Sequence, residues 1–140
     1  MKNLQLLLYQ KEIDPMKYFL IVICISFFAF VIPTDSVYEQ VEKSFNNQDA
    51  NELIFHSKSK IFISILGKEA IYSKQQSIQL LKDFFSKKPV EHFKFTFKGK
   101  ESAEGVFALG GYKTKDLEYR VIIHFVRENT TYLIERISIE

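Results

Sequence analysis

Acid–base chemistry in this chain would have to come from three histidines and the carboxylates near them. If the last two predicted strands pair across a tight turn, His124 stands opposite Glu135, and the two form the one acid–base couple that the sequence allows. Two interpretations of this couple stay open: a cross-strand polar pair at an interface, or a catalytic dyad. His56 follows a predicted short helix and is a further weak candidate. Beyond these weak candidates, no catalytic residue is assigned.

Metal and cofactor sites are not expected. Neither His56 nor His92 has a second ligand at metal-binding spacing. The single cysteine, Cys24, lies in an apolar N-terminal run, so the rest of the sequence has no disulfide, thiol nucleophile or cysteine-type zinc site. Gly110 and Gly111 fall inside a strand pattern and do not form a phosphate-binding loop. The net charge of +2 argues against electrostatic binding of nucleic acid.

The elements that would position these side chains are helices first and a run of strands last. Capping boxes at Ser36 and Ser73 begin two predicted helices. Residues 60–66 alternate as a strand. Four further strands, joined by three short turns, are predicted at residues 91–100, 105–115, 118–128 and 131–140. This order predicts an α+β fold: one cone-shaped domain over residues 34–140, with N-terminal helices packed on a curved, mainly antiparallel sheet.

Tight turns between the strands fix a register, and strand alternation then sorts the side chains onto two faces. The pairs predicted on one face are Phe93–Tyr112, Phe95–Gly110, Phe97–Ala108, Tyr112–Val121, Phe125–Ile134 and Ile123–Arg136. This face is aromatic with small gaps, and we expect it to be the concave side that receives the helices or a small apolar ligand. The residues predicted to line a pocket there are Phe93, Phe95, Phe97, Tyr112, Tyr119, Phe125 and Arg136.

The second face is half charged and half apolar. A monomer would expose on it the side chains of Leu109, Ile122, Val126, Leu133 and Ile137. Soluble monomers rarely expose an apolar patch of that size, so these residues are predicted to form an interface with a second copy or with another protein. A single β-bulge would exchange the faces of the residues beyond it.

The N-terminal segment is typical of an export signal. Lys17 precedes a near-continuous apolar run over residues 18–32, and a polar break follows. These features predict a secretory signal peptide at about residues 16–33, behind an N-terminal extension, and a periplasmic or cell-envelope protein. The alternatives are a retained anchor, which would be the only contact of the chain with a membrane, and a lipid attached to Cys24.

Six short segments resemble a known family. They are YSKQ at 72–75, LKDFF at 81–85, FKGK at 97–100, LGGY at 109–112, YRV at 119–121 and ISIE at 137–140. Together with the order of helices, hairpin, main helix and curled sheet, they resemble an uncharacterised group of exported bacterial proteins. That group is the domain of unknown function 4783, within the nuclear transport factor 2-like superfamily. The resemblance covers about residues 34–140.

The resemblance implies a fold more than an activity. The superfamily includes isomerases, dehydratases, polyketide cyclases and non-catalytic binding modules, and its members commonly form dimers through the sheet. Isomerase members place an acidic base and a tyrosine donor in the cone, whereas the concave strands predicted here carry tyrosines and no acid. We therefore expect a non-catalytic exported module that binds a small apolar ligand or a protein. The alternatives are a cone-fold lyase or isomerase acting on a small apolar substrate and a structural subunit of an envelope complex.

Overall fold

Two helices begin at a side chain that caps their first turn: Asp49 before residue 50, which accepts from the Glu52 backbone N–H, and Ser73 before residue 74. A computed structural model describes residues 36–140 of the protein. The helices are α1 (Val37–Asn46), α2 (Ala50–Phe55) and α3 (Lys74–Lys87). The capping box predicted for α3 is confirmed, because Ser73 Oγ accepts from the Gln76 backbone N–H at 3.3 Å and Gln76 Oε1 accepts from the Ser73 backbone N–H at 3.0 Å. The capping box predicted at Ser36 is wrong, since its side chain caps no backbone N–H.

The predicted signal peptide at residues 16–33 and the candidate lipid site Cys24 lie outside the described residues. Within residues 36–140, no helix is both long enough and apolar enough to cross a membrane. Export, cleavage and anchoring therefore stay predictions from the sequence.

Six strands form one sheet whose order brings the first hairpin beside the last strand. The strands are β1 (Ser57–Ile65), β2 (Lys68–Ser73), β3 (His92–Lys98), β4 (Val106–Lys113), β5 (Glu118–Glu128) and β6 (Thr131–Ile139). Their order across the sheet is β2-β1-β6-β5-β4-β3. Every neighbouring pair is antiparallel except β1 and β6, which are parallel. The α+β class, with helices packed on a curved and mainly antiparallel sheet, is thereby confirmed.

A β-bulge between β3 and β4 re-aims the end of β3. The predicted pairs confirmed before it are Phe93–Tyr112 and Phe95–Gly110. Beyond them, Phe97 pairs with Leu109 and not with Ala108. The extra residue, Thr96, turns Phe97 to the outer face of the sheet, where its side chain is 49% exposed. The prediction that Phe97 lines the concave face is therefore wrong.

A second β-bulge lies between β5 and β6. The predicted pair confirmed before it is Phe125–Ile134. Glu135 is then the extra residue, so His124 pairs with Arg136, and the predicted register that placed Glu135 directly opposite His124 is wrong. Ile123 pairs with Ile137 rather than with Arg136. Arg136 is consequently exposed on the outer face and Ile137 is fully buried, so the predicted pocket role of Arg136 and the predicted interface role of Ile137 are wrong.

The turn between β4 and β5 is longer than predicted. Tyr112 pairs with Tyr119 and not with Val121. Because the register differs by two residues, the same side chains of β5 still face inward. Thr114 closes the turn, since its Oγ1 accepts from the Leu117 backbone N–H at 3.1 Å.

The inner face of the sheet and the helices form one aromatic core. Phe45 of α1 stacks on Phe93, with ring centroids 4.4 Å apart. Phe84 of α3 meets the ring of Tyr112 at a centroid distance of 5.3 Å. Burial of each such side chain is worth roughly 1.5–3 kcal/mol, so aromatic packing is a main source of stability for this domain.

Candidate functional site

The predicted concave pocket is filled by protein. The predicted lining residues that do face the helices are between 0% and 7% exposed: Phe93, Phe95, Tyr112, Tyr119 and Phe125. Tyr38 of α1 makes edge contacts with Phe95 and Phe125, at centroid distances of 5.6 and 5.3 Å. Side chains covered in this way lie within the close-packed interior of the described domain. The structure therefore gives them a core role in place of the predicted pocket role.

Tyr112 shows how an inner tyrosine is used. Its hydroxyl donates to the backbone carbonyl of Lys88 at 2.6 Å. Burial is the main cause that raises the pKa of the Tyr112 hydroxyl from 10.0 to about 12. The hydroxyl therefore stays protonated at neutral pH, and it ties the end of α3 to β4.

The predicted acid–base couple is found on the outer face of the sheet. His124 Nδ1 lies 3.4 Å from Glu135 Oε2, and Lys58 Nζ lies 3.2 Å from Oε1 of the same carboxylate. The side chains of His124 and Glu135 are 36% and 42% exposed, so solvent reaches both. Perturbed catalytic acids and bases are typical of clefts that exclude water, and this open surface is not one.

His56, the other weak catalytic candidate, follows α2 and pairs with an acid of the same helix. Its Nε2 lies 3.3 Å from Glu52 Oε1, and its ring meets the Phe55 ring at a centroid distance of 5.2 Å. The backbone carbonyl of His56 accepts from the Ile134 N–H at 2.8 Å, which joins α2 to β6. In the part of the chain that the structure describes, no group of three or more His, Cys, Asp or Glu side chains could hold a metal ion.

The outer face of the sheet carries an apolar surface that we name the outer patch. Its members are Phe97, Phe107, Leu109, Ile122, Val126 and Leu133. The rings of Phe97 and Phe107 lie 5.7 Å apart and are 49% and 46% exposed. Leu109 pairs across the strands with both Phe97 and Ile122, which joins β3, β4 and β5. The other two members pair with each other between β5 and β6.

Four of the six outer-patch residues were predicted as interface residues from the sequence. Phe97 was missed because the bulge at Thr96 reverses its face. Phe107 was left out of the predicted interface, although its spacing of two residues from Leu109 was a usable signal.

A groove on the helix side of the sheet was not predicted. It lies between the β1–β2 turn and α3, with a volume of about 280 Å³, and we name it the basic groove. Its lining residues are Ile65, Leu66, Lys68, Tyr72, Leu80, Asp83, Phe84, Lys87 and Lys88. The sequence signal for it was the Leu66-Gly67 turn, where a large apolar residue takes a place that usually favours asparagine.

One family model and many solved structures are similar to this chain. The model described as a domain of unknown function (DUF4783) matches residues 38–140. A DUF4783 crystal structure from Bacteroides uniformis ATCC 8492 is 27% identical with a TM-score of 0.69, and the match covers 75% of this chain and 96% of that chain. Another, from Bacteroides ovatus ATCC 8483, is 26% identical with a TM-score of 0.66, and covers 71% and 90% of the two chains.

A more distant structure shares the fold alone. A ketosteroid isomerase-like protein from Erwinia carotovora atroseptica SCRI1043 is 13% identical with a TM-score of 0.58, and the match covers 71% of this chain and 86% of that one. A likeness at this identity concerns the arrangement of helices and strands and carries no activity across. No curated protein matches the chain.

Proposed function

Because this chain belongs to the DUF4783 family and has the nuclear transport factor 2-like fold, we propose that it is a non-catalytic binding module whose outer patch docks a second copy of the chain. The main supporting observation is that Phe97 and Phe107 stand side by side and nearly half exposed on the sheet face that no described helix covers. Apolar surface of this extent on a soluble protein is typical of a contact with another protein.

A second copy fits the charge of the outer face. Arg136 is exposed there, 4.5 Å above the Phe62 ring, while Glu135 lies beside it with its carboxylate near Lys58 and His124. Two copies related by a two-fold axis present the same patch to each other, so cations of one copy can meet carboxylates of the other. Residues 34–140 carry 16 basic and 15 acidic side chains, and this near-neutral balance adds little repulsion between copies.

The surface area that a stable dimer buries indicates how far the contact must extend. Specific interfaces bury about 800 Å² on each partner, which is more than six side chains supply. We therefore expect the contact to extend from the outer patch across β6 to Phe62 of β1, which pairs with Arg136. Specific interfaces have an apolar core and a polar rim. In the proposed contact the outer patch would be the core, and Arg136 and Glu135 would belong to the rim.

The alternative of a lyase or isomerase would use His124 and Glu135, or His56. The couple lies on the outer face among the residues of the proposed contact, so we assign it the role of a cross-strand polar pair at the interface. The alternative of a structural subunit in an envelope complex would use the same outer patch for a different protein. The oligomeric state of the purified chain separates that alternative from self-association.

The proposal extends to export from the cytoplasm. Its support is the basic Lys17 followed by the apolar run at residues 18–32. Fractionation of cells that express the full chain, combined with N-terminal sequencing of the recovered protein, tests it. Protein that remains in the cytoplasm with residues 18–32 intact would contradict export, and membrane-bound protein with the run intact would indicate a retained anchor.

The dimer is tested by sedimentation equilibrium on residues 34–140. The match covers 90% and 96% of the lengths of two DUF4783 chains that have crystal structures. We therefore expect residues 34–140 to fold without further segments. The change is Phe107→Glu, which places a charge in the outer patch. The matched control is Leu117→Glu, because Leu117 is 57% exposed in the turn between β4 and β5 and lies outside the patch.

The expected result is a dimer for the unchanged domain and for Leu117→Glu, and a monomer for Phe107→Glu. Circular dichroism on all three checks that each is folded. A monomeric unchanged domain at high protein concentration would overturn the proposal, as would a Phe107→Glu variant that sediments like the control.

A further inference from the structure

The basic groove is built by a turn and a helix that are far apart in the sequence. Leu66 and Gly67 form the two-residue turn of the β1–β2 hairpin, whose last pair is Ile65 with Lys68. The Leu66 backbone N–H donates to the Ile139 carbonyl at 2.9 Å, so the turn is held against the end of β6. The opposite wall is α3, which contributes Leu80 and Phe84. The groove is therefore fixed on both sides by regular structure.

Leu66 occupies a conformation that favours other residues. Its φ is +50° and that of Gly67 is +83°, the signs required at both central positions of a type I′ turn. Asparagine or glycine is preferred at the first of these positions, and a residue with a bulky side chain in the left-handed region is strained by roughly 1–2 kcal/mol. The Leu66 side chain is also 53% exposed beside the groove. Folding alone thus explains neither the residue type nor its exposure.

The rim of the groove has an excess of positive charge. Lys68, Lys87 and Lys88 lie on it with one carboxylate, Asp83. Asp83 is already paired, since its Oδ2 accepts from Lys87 Nζ at 2.8 Å. Among residues 36–140, neither Lys68 nor Lys88 has a carboxylate within ion-pair distance. Within the described residues, two ammonium groups at the edge of an apolar floor are therefore not engaged by a carboxylate.

The position of Lys88 is set by its backbone. Its N–H donates to the Phe84 carbonyl at 2.9 Å, and its carbonyl accepts from the Tyr112 hydroxyl at 2.6 Å. Its ammonium lies 5.9 Å from the ring centroid of Tyr119. Because the backbone is tied to both α3 and β4, the side chain extends from a fixed point.

We propose that the basic groove binds a small free alkyl carboxylate, with its chain on Leu66, Leu80 and Phe84 and its carboxylate at Lys68 and Lys88. The groove volume of about 280 Å³ is the volume that about nine water molecules occupy in liquid water. That volume suits an alkyl chain of medium length. A shallower surface that shares Tyr72 and Leu80 continues along α3, so a longer chain has room to extend. Pockets with an apolar body and a few placed charges are typical of ligand sites. This site is on the helix side and does not depend on the proposed dimer.

Decanoate, below the concentration at which it forms micelles, is the probe. Binding to residues 34–140 is measured by two-dimensional amide NMR, which reports the site, and by calorimetry, which reports affinity. The expected result is a saturable shift of amides at residues 65–68 and 80–88. Decanol should bind at least tenfold more weakly, because the charge-assisted hydrogen bonds to the carboxylate are lost.

Two variants and one matched control test the assignment of roles. Replacing Lys68 and Lys88 together by glutamine should weaken decanoate binding about tenfold, while Lys115→Gln, a change at an exposed turn lysine, should leave it unchanged. Leu66→Asn should raise the melting temperature, because asparagine suits the turn, and should weaken binding at the same time. Phe107→Glu, outside the groove, should bind decanoate as the unchanged domain does.

Several outcomes would overturn the proposal. They are the absence of saturable shifts at the groove, equal affinity for decanol and decanoate, and equal loss in the double glutamine variant and in Lys115→Gln. Binding to anionic phospholipid vesicles without binding of decanoate would also overturn it, because the ligand would then be a membrane surface. A Leu66→Asn variant that is stabilised but keeps full affinity would remove Leu66 from the site.

Discussion

The two faces of the sheet carry similar aromatic side chains in opposite surroundings. On the inner face, Phe93 and Phe125 are 1% and 0% exposed beneath the helices, whereas Phe97 and Phe107 on the outer face are 49% and 46% exposed. The two faces therefore do not differ in the type of these residues. They differ in that helices cover the inner face, whereas no described helix covers the outer face. This is why we assign the inner face to stability and the outer face to association.

Phe93 and Phe97 make that comparison within one strand. We expect Phe93→Ala to destabilise the domain by about 3–5 kcal/mol, because it leaves a cavity beside Phe45. Phe97→Ala should change the stability of the monomer by about 0.5 kcal/mol or less, since its ring is half exposed. Urea unfolding at a protein concentration low enough to keep the domain monomeric measures both.

Phe93→Leu serves as a second variant if Phe93→Ala does not fold, and it should rank between the two alanine variants. Equal destabilisation by Phe93→Ala and Phe97→Ala would show that the bulge at Thr96 does not re-aim the strand.

Gly110 and Gly111 give a second contrast between the faces. A Cβ on Gly110 would lie 2.6 Å from Phe93 Cζ, and that ring is held by Phe45, so Gly110→Ala should destabilise the domain by about 1–3 kcal/mol. A Cβ on Gly111 would meet only the flexible end of the Glu118 side chain. Gly111→Ala should therefore be neutral, or stabilising by about 0.4–1 kcal/mol through the unfolded chain. Thermal unfolding of the two variants compares them directly, and a more costly Gly111→Ala would reverse the assignment of the faces.

The sequence was sufficient for the fold and for part of the outer patch. Alternation in β4 and β5 correctly placed Leu109 and Ile122 outside, because no bulge interrupts either strand before those positions. The fold class could be inferred from the order of one long helix and four late strands.

The remaining features were set by effects that local sequence does not record. The bulges at Thr96 and Glu135 each place one extra residue in a strand, and no residue type there marks the bulge in the sequence. The predicted faces of the residues beyond each bulge were therefore reversed. β2 gave no alternation signal, because five of its six residues are exposed. The Leu66-Gly67 turn was a signal for an unusual hairpin, but the basic groove could not be located from it, because Leu66 and Phe84 come to line one groove only in the folded chain.

The buried hydroxyl of Tyr112 gives a further test of the comparison between the inner and outer faces of the sheet. Tyr112→Phe should cost about 1–2 kcal/mol at pH 7, because the Lys88 carbonyl loses its hydroxyl donor. The folded-state pKa of about 12 lies above the ordinary 10.0, so the contribution of the neutral hydroxyl is complete below pH 10 and is lost as the pH rises through 12. The stability difference between the unchanged domain and Tyr112→Phe should therefore narrow from pH 10 upward.

Urea unfolding at pH 7, 10 and 11 measures that difference, with Tyr119→Phe as the control, because no hydrogen bond from the Tyr119 hydroxyl occurs among the described side chains. A difference that stays constant over this range would show that Tyr112 is not the group responsible.

The smallest effect is expected for the polar pair on the outer face. In the monomer, Glu135→Gln removes a partly exposed ion pair with Lys58 and the charge beside His124, and should cost no more than about 1 kcal/mol. Asp83→Asn is the matched control, because the Asp83–Lys87 pair is also exposed and lies away from the outer face. In the dimer the couple would be withdrawn from water, so Glu135→Gln should cost more at high protein concentration than at low, while Asp83→Asn should not change. Unfolding measured at two concentrations therefore asks whether Glu135 lies in the contact, and identical costs at both would remove the couple from the proposed interface.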